Sequence, residues 1–267
     1  MRIQVNGTTL NVFQKSAVRA PHSAITLLFL HYFGGSSQSW IEVIDVLACD
    51  YTCVAPDLRG FGGSEGSAAA SYTVKDYADD VAALVDDLKL KRYVLIGHSM
   101  GGKIALQFAA RQPSGLASLV LLAPSPPTPE PMEDAERTRL LAGHGVRFAA
   151  EETARKITAH PLAASVSKMI VEDNLRSSRP AWLAWLDHGS REDISGEVSS
   201  IKVPVMVVAG AADPVITATL LEREVVRRVA GARLAVLSNV GHLLPLEDPK
   251  TVAALIRERS QFTSLSS

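Results

Sequence analysis

Short apolar runs recur along the chain and alternate with stretches whose apolar residues fall at three- and four-residue intervals. The runs predict strands buried on both faces, at residues 24–30, 52–55, 93–96, 119–122, 203–208 and 233–237. The periodic stretches predict helices at 74–88, 103–111, 220–229 and 251–262. Because strands and helices alternate, we expect an α/β fold with a mostly parallel central sheet flanked by helices. Residues 3–15 alternate in polarity around an Asn-Gly pair, which predicts an antiparallel hairpin at one edge.

One long segment interrupts this alternation between the runs at 119–122 and 203–208. It begins with a proline-rich stretch at 124–131, which no helix or strand interior tolerates, and continues with helical patterns at 134–142, 150–157, 162–174 and 180–188. Helices inserted between two parallel strands predict a cap over the carboxyl edge of the sheet, where open α/β folds bind ligands. We therefore predict one α/β domain from residues 1–123 and 198–267, with 124–197 as a helical cap. A separate helical domain is the alternative.

Composition and charge exclude several classes of function. Lys and Arg total 27 against 28 Asp and Glu, a net charge of -1 without a basic block, so nucleic acid is not an expected partner. No apolar run approaches the length of a spanning helix, and the N-terminus lacks signal-peptide features, so we expect no membrane partner and a cytoplasmic location. Two cysteines, Cys49 and Cys53, exclude a disulfide scaffold, and Cys53 is expected to be a buried thiol. No sequence feature indicates an oligomeric state.

The strongest chemical signal is the sequence Gly-His-Ser-Met-Gly-Gly at 97–102, between a predicted strand and a predicted helix. A serine at such a turn is held in strained backbone geometry, and the flanking glycines let strand and helix approach closely. The hydroxyl of Ser99 then stands clear of the sheet as a nucleophile. The amide of Met100, at the helix N-terminus, is positioned to donate to an oxyanion. A phosphate-binding turn is disfavoured because neither a Walker lysine nor a G-x-G-x-x-G spacing is present.

A nucleophilic serine needs a base, and the base needs a carboxylate that orients it. Among seven histidines, His242 lies between the last predicted strand and the last predicted helix, in a loop at the carboxyl edge. His31 also follows a strand but opens a glycine-containing loop, and the side chain of His98 is expected to point away from that of Ser99. Asp213 follows the predicted strand at 203–208. The order serine, aspartate, histidine is that of the α/β-hydrolase fold.

From about Leu10 to Phe262, the chain resembles α/β-hydrolases of the capped serine esterase type. The resemblance lies in HYFGG at 31–35, PDLRGFG at 56–62, GHSMGG at 97–102, Asp213 and GH at 241–242. It implies an α/β-hydrolase fold with a catalytic domain (1–123 and 198–267) and a cap (124–197). It further implies that the amide of Phe33 joins that of Met100 in an oxyanion hole. No step of this chemistry calls for a metal or an organic cofactor.

Three side chains are candidates for the substrate pocket. The family usually has His-Gly where this chain has His31-Tyr32. Tyr32 is expected to narrow the acyl pocket, to donate a hydrogen bond there, or simply to pack. Trp182 and Trp185, three residues apart on a predicted helix, are candidate lining residues under the cap, although such a pair is also typical of a core.

The resulting functional prediction is hydrolysis of a small carboxylic ester through an acyl-enzyme on Ser99, with a small-molecule acyl substrate as the partner. Lactones and thioesters are close variants. Serine at the nucleophile position disfavours the alkyl-enzyme chemistry that similar dehalogenases and epoxide hydrolases perform with aspartate. The alternatives are a carbon-carbon bond hydrolase of the meta-cleavage type and a non-catalytic ligand-binding protein on the same scaffold. Asp57 and Arg59 are expected to form a charge pair that stabilises their loop.

Overall fold

The computed structural model describes residues 1–16, 25–67 and 71–264, so Ala24, the first residue of one predicted strand, lies outside them. Within this part of the chain, eight strands form one sheet in the order β1-β2-β4-β3-β5-β6-β7-β8. The first two strands are antiparallel to their neighbours, and the other six are parallel. The strands are β1 Arg2–Val5, β2 Thr8–Lys15, β3 Thr26–Leu30, β4 Thr52–Pro56, β5 Tyr93–His98, β6 Leu116–Leu122, β7 Val205–Gly210 and β8 Arg233–Leu237.

Helices cover both faces of the sheet and fill the interruption between β6 and β7. Those attached to the sheet are α1 Ile41–Leu47, α2 Val74–Asp87, α3 Met100–Ala110, α8 Ala218–Leu221, α9 Leu244–Glu247 and α10 Pro249–Ser264. Those inserted after β6 are α4 Asp134–Ala142, α5 Arg147–Ile157, α6 Ala164–Arg176 and α7 Arg179–Asp187. The predicted helix at 220–229 is instead the short α8 followed by a π-helical turn, Glu222–Val226. The sequence pattern did not predict α1 or α9, which are too short to show a helical period.

The apolar runs form the centre of the molecule because both of their faces are covered. Leu27–Leu30 of β3 are completely buried, as are most residues of β5 and β6. Parallel strands bring their carboxyl ends to one edge, and the loops that leave this edge contain the candidate residues Ser99, Asp213 and His242. No helix among the described residues is long and apolar enough to cross a membrane.

The expected pairing of Asp57 with Arg59 is wrong. The carboxylate of Asp57 accepts hydrogen bonds from the side chain of Asn11 and from the amides of Ser37 and Gly63. Arg59 instead forms a buried ion pair with Asp80 of α2, at 2.5 Å. Asp57 therefore joins its loop to β2 and to the segment after β3, whereas Arg59 joins the same loop to α2.

The two cysteines are free thiols, as expected. Cys53 of β4 is buried, whereas Cys49 is exposed. Burial raises the pKa of Cys53 to about 12, so this thiol is neutral and unreactive at physiological pH.

Candidate active site

Ser99 occupies the turn between β5 and α3 with φ of 50° and ψ of -115°, a strained conformation for a residue with a side chain. The turn is tight on both sides. A Cβ atom at Gly97 would lie 2.5 Å from the carbonyl oxygen of Gly101, and one at Gly101 would lie 2.5 Å from the carbonyl oxygen of Leu30. Only glycine fits at both positions, and this close approach of strand and helix holds the serine hydroxyl at the carboxyl edge.

Two hydrogen bonds connect Ser99, His242 and Asp213. Ser99 Oγ lies 2.9 Å from Nε2 of His242, and Nδ1 of His242 lies 2.8 Å from Oδ2 of Asp213. The other carboxylate oxygen of Asp213 accepts hydrogen bonds from the amides of Val215 and Ile216, at 2.7 and 3.0 Å. Because the carboxylate accepts from Nδ1, that nitrogen carries the proton and Nε2 is left to accept the proton of the serine hydroxyl. This is the geometry that activates a serine nucleophile.

The amides of Phe33 and Met100 are the candidate oxyanion donors. Met100 is the first residue of α3, so its amide has no acceptor within the helix. Among the described residues, the amide of Phe33 has no acceptor either, and Phe33 lines the same cavity as Ser99. Neither amide is therefore committed to an acceptor among the described residues, as a candidate oxyanion donor requires.

A cavity of about 580 Å³ contains Ser99 and His242. Its other walls come largely from α4, α5, α6 and α7, so the helices inserted after β6 line the cavity that contains Ser99. The volume falls within the range of small-molecule sites. All three predicted pocket residues, Tyr32, Trp182 and Trp185, line this cavity.

The two tryptophans are also buried, at 3% exposure each. They pack against Phe33, with ring centroids 4.3 Å away for Trp182 and 6.3 Å away for Trp185. The indole N–H of Trp182 donates to the carbonyl of Leu140 in α4, at 3.0 Å. The pair therefore both lines the cavity and packs in the core, and it ties α7 to the loop that carries a candidate oxyanion donor.

Residues 25–184 match the family described as alpha/beta hydrolase fold. The chain belongs to the α/β-hydrolase fold family. The match covers more than half of the chain, and it confirms both the fold class and the resemblance inferred from the sequence motifs.

Three similar proteins span nearly the whole of this α/β-hydrolase. A Bacillus subtilis (strain 168) protein named "Putative 2-succinyl-6-hydroxy-2,4-cyclohexadiene-1-carboxylate synthase" is 27% identical over 94% of this chain and 97% of its own. A thermophilic esterase from Thermogutta terrifontis is 25% identical, with a TM-score of 0.79 over 98% of this chain and 99% of its own. An esterase from Exiguobacterium antarcticum is 20% identical, with a TM-score of 0.86 over 97% of this chain and 98% of its own.

Tyr32 departs from the usual glycine of α/β-hydrolases by filling space between the sheet edge and the inserted helices. Its ring packs with Ile170 of α6 and with Leu243 and Leu246, which flank the loop of His242. Its phenolic oxygen is buried and has no hydrogen-bond partner among the described residues. Burial raises the pKa of Tyr32 above its usual range, so the phenol is neutral. Of the expected roles, the structure favours packing that narrows the cavity.

His98, the residue before Ser99, contacts the loop that contains His242. Its Nε2 donates to the carbonyl oxygen of His242 at 2.7 Å, and the two rings lie 5.4 Å apart. Burial lowers the pKa of His98 well below 6.5, so the imidazole is neutral. His31 is also buried: its Nε2 accepts a hydrogen bond from the amide of Leu58, which fixes the loop after β3.

Sequence reasoning missed the charged residues of the cavity wall. Glu136 lies at the centre of one group, with Arg139 and Lys156 each 2.7 Å from its carboxylate. The hydrogen bond from Arg139, together with the one from Lys156, lowers the pKa of Glu136 to about 2 despite partial burial. Glu130 is a further carboxylate in the wall. The only sequence signal for Glu130 was its place shortly after a strand at the carboxyl edge.

Proposed function

We propose that this α/β-hydrolase cleaves small carboxylic esters through an acyl-enzyme on Ser99. The observation that carries the proposal is the pair of hydrogen bonds from Ser99 to His242 and from His242 to Asp213, at 2.9 and 2.8 Å, with Ser99 and His242 in the wall of the cavity. A binding protein on the same scaffold has no need of a strained serine, an oriented imidazole and free backbone donors in one place.

The steps follow from the geometry. His242 accepts the proton of Ser99 as the hydroxyl oxygen attacks the acyl carbon, and the amides of Phe33 and Met100 stabilise the tetrahedral oxyanion. Asp213 holds the imidazole in the required tautomer and stabilises the imidazolium. His242 then donates its proton to the departing alkoxide. A water molecule, deprotonated by the same imidazole, attacks the acyl-enzyme and releases the carboxylic acid while Ser99 recovers its proton.

We further propose that residues 124–197 act as the cap of this site. Helices α4 to α7 contribute most of the residues of the cavity wall, and these include apolar side chains such as Leu140 and Ile157. The apolar part of the wall favours small acyl and alkyl groups. Lactones and thioesters require the same steps, so they remain close variants of the proposed substrate class.

The names of the similar proteins point to two reactions. Two of them are named esterases, which supports the proposal. The Bacillus subtilis relative is named as the synthase of a cyclohexadiene carboxylate, a reaction of a different class. Carbon-carbon bond hydrolysis of the meta-cleavage type, the alternative that the sequence left open, is tested beside ester hydrolysis.

Hydrolysis of p-nitrophenyl acetate and butyrate tests the proposal directly. We expect turnover by the wild type, loss of nearly all activity in Ser99→Ala, and unchanged activity in Ser165→Ala, a control at an exposed position of α6. A fluorophosphonate probe should label the wild type and not Ser99→Ala. Failure of the folded wild type to hydrolyse either ester, together with cleavage of a dienoate substrate, would replace the ester proposal with the carbon-carbon alternative. Absence of labelling and of all turnover would favour a binding protein.

A further inference from the structure

Glu130 is a carboxylate in the cavity of Ser99 and His242 that the proposed mechanism does not use. It lies half-buried in the proline-rich segment that leads away from β6. Its Oε2 accepts a hydrogen bond from the hydroxyl of Ser125 at 2.7 Å. The amide of Ser125, a fully buried residue, donates in turn to the carbonyl oxygen of Ser99 at 2.9 Å. A single residue therefore anchors Glu130 to the nucleophile.

In the part of the chain that the structure describes, no cation forms an ion pair with Glu130. Lys103 and Arg137 are near enough to interact with it electrostatically. Both direct their N–H groups instead to carbonyl and hydroxyl oxygens. Neither of these two cations lines the cavity. A substrate in the cavity therefore meets the carboxylate of Glu130 and not these positive groups.

The cations that do line the cavity are already engaged. Arg139 and Lys156 each lie 2.7 Å from the carboxylate of Glu136, and all three residues belong to the cavity wall. Glu133 is a further wall residue and is exposed. Among the described wall residues, both cations thus pair with Glu136, and the half-buried Glu130 and the exposed Glu133 are left without an ion pair.

Glu130 is close enough to His242 for their charges to interact. Its negative charge adds to the effect of Asp213 in favouring the imidazolium of His242. In the proposed mechanism, His242 protonates the leaving alkoxide, so the alcohol part of an ester lies next to His242 during acylation. The negative charge of Glu130 therefore acts on the leaving alcohol.

We infer that Glu130 is a specificity-determining residue that selects esters whose alcohol part carries a positive charge, such as an alkylammonium group, and rejects esters whose alcohol part carries a carboxylate. This inference rests on the proposed ester hydrolysis at Ser99. Opposite charges attract and like charges repel with more effect in a largely apolar cavity than in water. An unpaired, half-buried carboxylate gains a counter-ion when a cation binds, and it has none when an anion binds.

Three butyrate esters that differ chiefly in charge test the inference. Butyrylcholine is cationic, 3,3-dimethylbutyl butyrate is its neutral isostere, and 3-(butyryloxy)propanoate is anionic. Hydrolysis is followed by proton release in a pH-stat at low salt. We expect kcat/KM to fall in the order cationic, neutral, anionic, with about 5- to 20-fold between neighbours. Added salt should bring these kcat/KM ratios closer to one, because it screens the charges.

Variants separate the charge of Glu130 from its packing. Glu130→Gln should bring the cationic-to-neutral ratio of kcat/KM close to one, whereas Glu130→Asp should keep part of the preference. Glu258→Gln removes an equal charge at an exposed site on α10 and should leave every ratio unchanged. If Glu130→Gln does not fold, the order of kcat/KM for the three esters in the wild type, and its dependence on salt, still test the inferred charge preference.

Two kinds of failure are distinguishable. Turnover of all three esters that depends on Ser99 but shows no charge order, or a wild-type preference for the anionic ester, overturns this inference alone. An order that survives in Glu130→Gln also overturns it. Absence of any turnover together with absence of fluorophosphonate labelling overturns the proposed function, and the inference falls with it.

Discussion

Glu247 Oε2 accepts a hydrogen bond from the amide of Gly241 at 2.9 Å, one residue before His242. The other carboxylate oxygen, Oε1, accepts from the amide of Leu243, one residue after it, at 3.0 Å. The same side chain also binds the amide of Ala159, in the segment that follows α5, at 2.8 Å. One carboxylate of α9 thus holds both flanks of the histidine and joins them to the inserted helices.

Glu247→Ala should impair positioning of His242 rather than substrate binding. Three amides lose their acceptor, so the imidazole is less well placed against Ser99, and we expect kcat to fall about 10- to 100-fold with little change in KM. Steady-state kinetics with p-nitrophenyl butyrate measures this, with Glu258→Ala on the exposed face of α10 as control. Glu247→Gln, which keeps one acceptor oxygen, should recover part of kcat. An unchanged kcat in the alanine variant would contradict the positioning role.

Asp213→Asn should reduce kcat by about 10³- to 10⁴-fold while the fold is retained. Oδ1 of residue 213 accepts from the amides of Val215 and Ile216, so an asparagine keeps its oxygen there and turns its NH₂ group toward His242. That arrangement stabilises the tautomer with the proton on Nε2, which cannot accept the proton of Ser99. Kinetics and circular dichroism check this result. Activity within tenfold of the wild type would show that Asp213 is not the orienting carboxylate.

The pH profile of kcat/KM should have its acid midpoint above 6.5. Burial by itself lowers the pKa of His242, but the charge of Asp213 and its hydrogen bond more than offset this and raise the pKa above 6.5. His242 acts as a base only when neutral, so activity rises as the pH passes upward through this raised pKa and then reaches a plateau. Initial rates from pH 5 to 9 give the midpoint. A midpoint below 6.5 would contradict the electrostatics of the Asp213–His242 pair.

Lys103 should make folding stability depend on pH. Its ammonium group donates to the carbonyl oxygens of Thr128 and Glu192, on either side of helices α4 to α7, and burial lowers its pKa to about 8. Its unfolded pKa is about 10.4, so between the two values the unfolded state binds more protons, and stability rises with pH.

Comparison with Lys103→Met isolates this effect from other titrating groups. The free energy of unfolding of the wild type, relative to the variant, should increase from pH 8 to 10.5 by up to about 3 kcal/mol. Urea unfolding at several pH values measures the difference. If the free energy of unfolding changes with pH in the same way for wild type and variant over this range, Lys103 stays charged in the folded protein.

Loss of the buried ion pair between Arg59 and Asp80 should be strongly destabilising. Both side chains are almost fully buried, so Asp80→Ala leaves an arginine charge without a partner, at a cost of about 3–5 kcal/mol. Asp79, one residue earlier, pairs with Lys75 and Arg111 at the surface. Asp79→Ala should therefore cost less than about 1 kcal/mol. Urea unfolding measures both changes, and an equal loss of unfolding free energy in the two variants would contradict this prediction.

Much of the fold could be predicted from patterns of neighbouring residues in the sequence. Strands β3, β5, β6 and β7 are buried on both faces, which requires continuous apolar runs that are visible in the sequence. The turn at Ser99 needs glycine on both sides because a Cβ atom would clash there, so its motif is also local. Asp213 and His242 were identifiable because each directly follows a strand, and parallel strands end at one edge.

Side chains that contact distant segments of the chain are not marked by any local pattern in the sequence. Arg59 pairs with Asp80, 21 residues away, and not with Asp57, although Asp57 is close to it in sequence. Glu247 binds amides on both sides of His242, and Glu130 lies in the cavity of Ser99. Such side chains have no periodicity, and their partners depend on how loops and inserted helices pack against the sheet.

The sequence by itself therefore determined the sheet, the strained turn at Ser99 and the residues that gather at the carboxyl edge of the sheet, because burial on both faces and backbone sterics act over a few neighbouring residues. Only the tertiary structure decided what Tyr32 packs against, which carboxylate holds the loop of His242, and which charges of the cavity wall have no ion pair. Those outcomes depend on contacts between segments that are far apart in the chain, where burial and hydrogen bonding select one partner among many with the same chemistry.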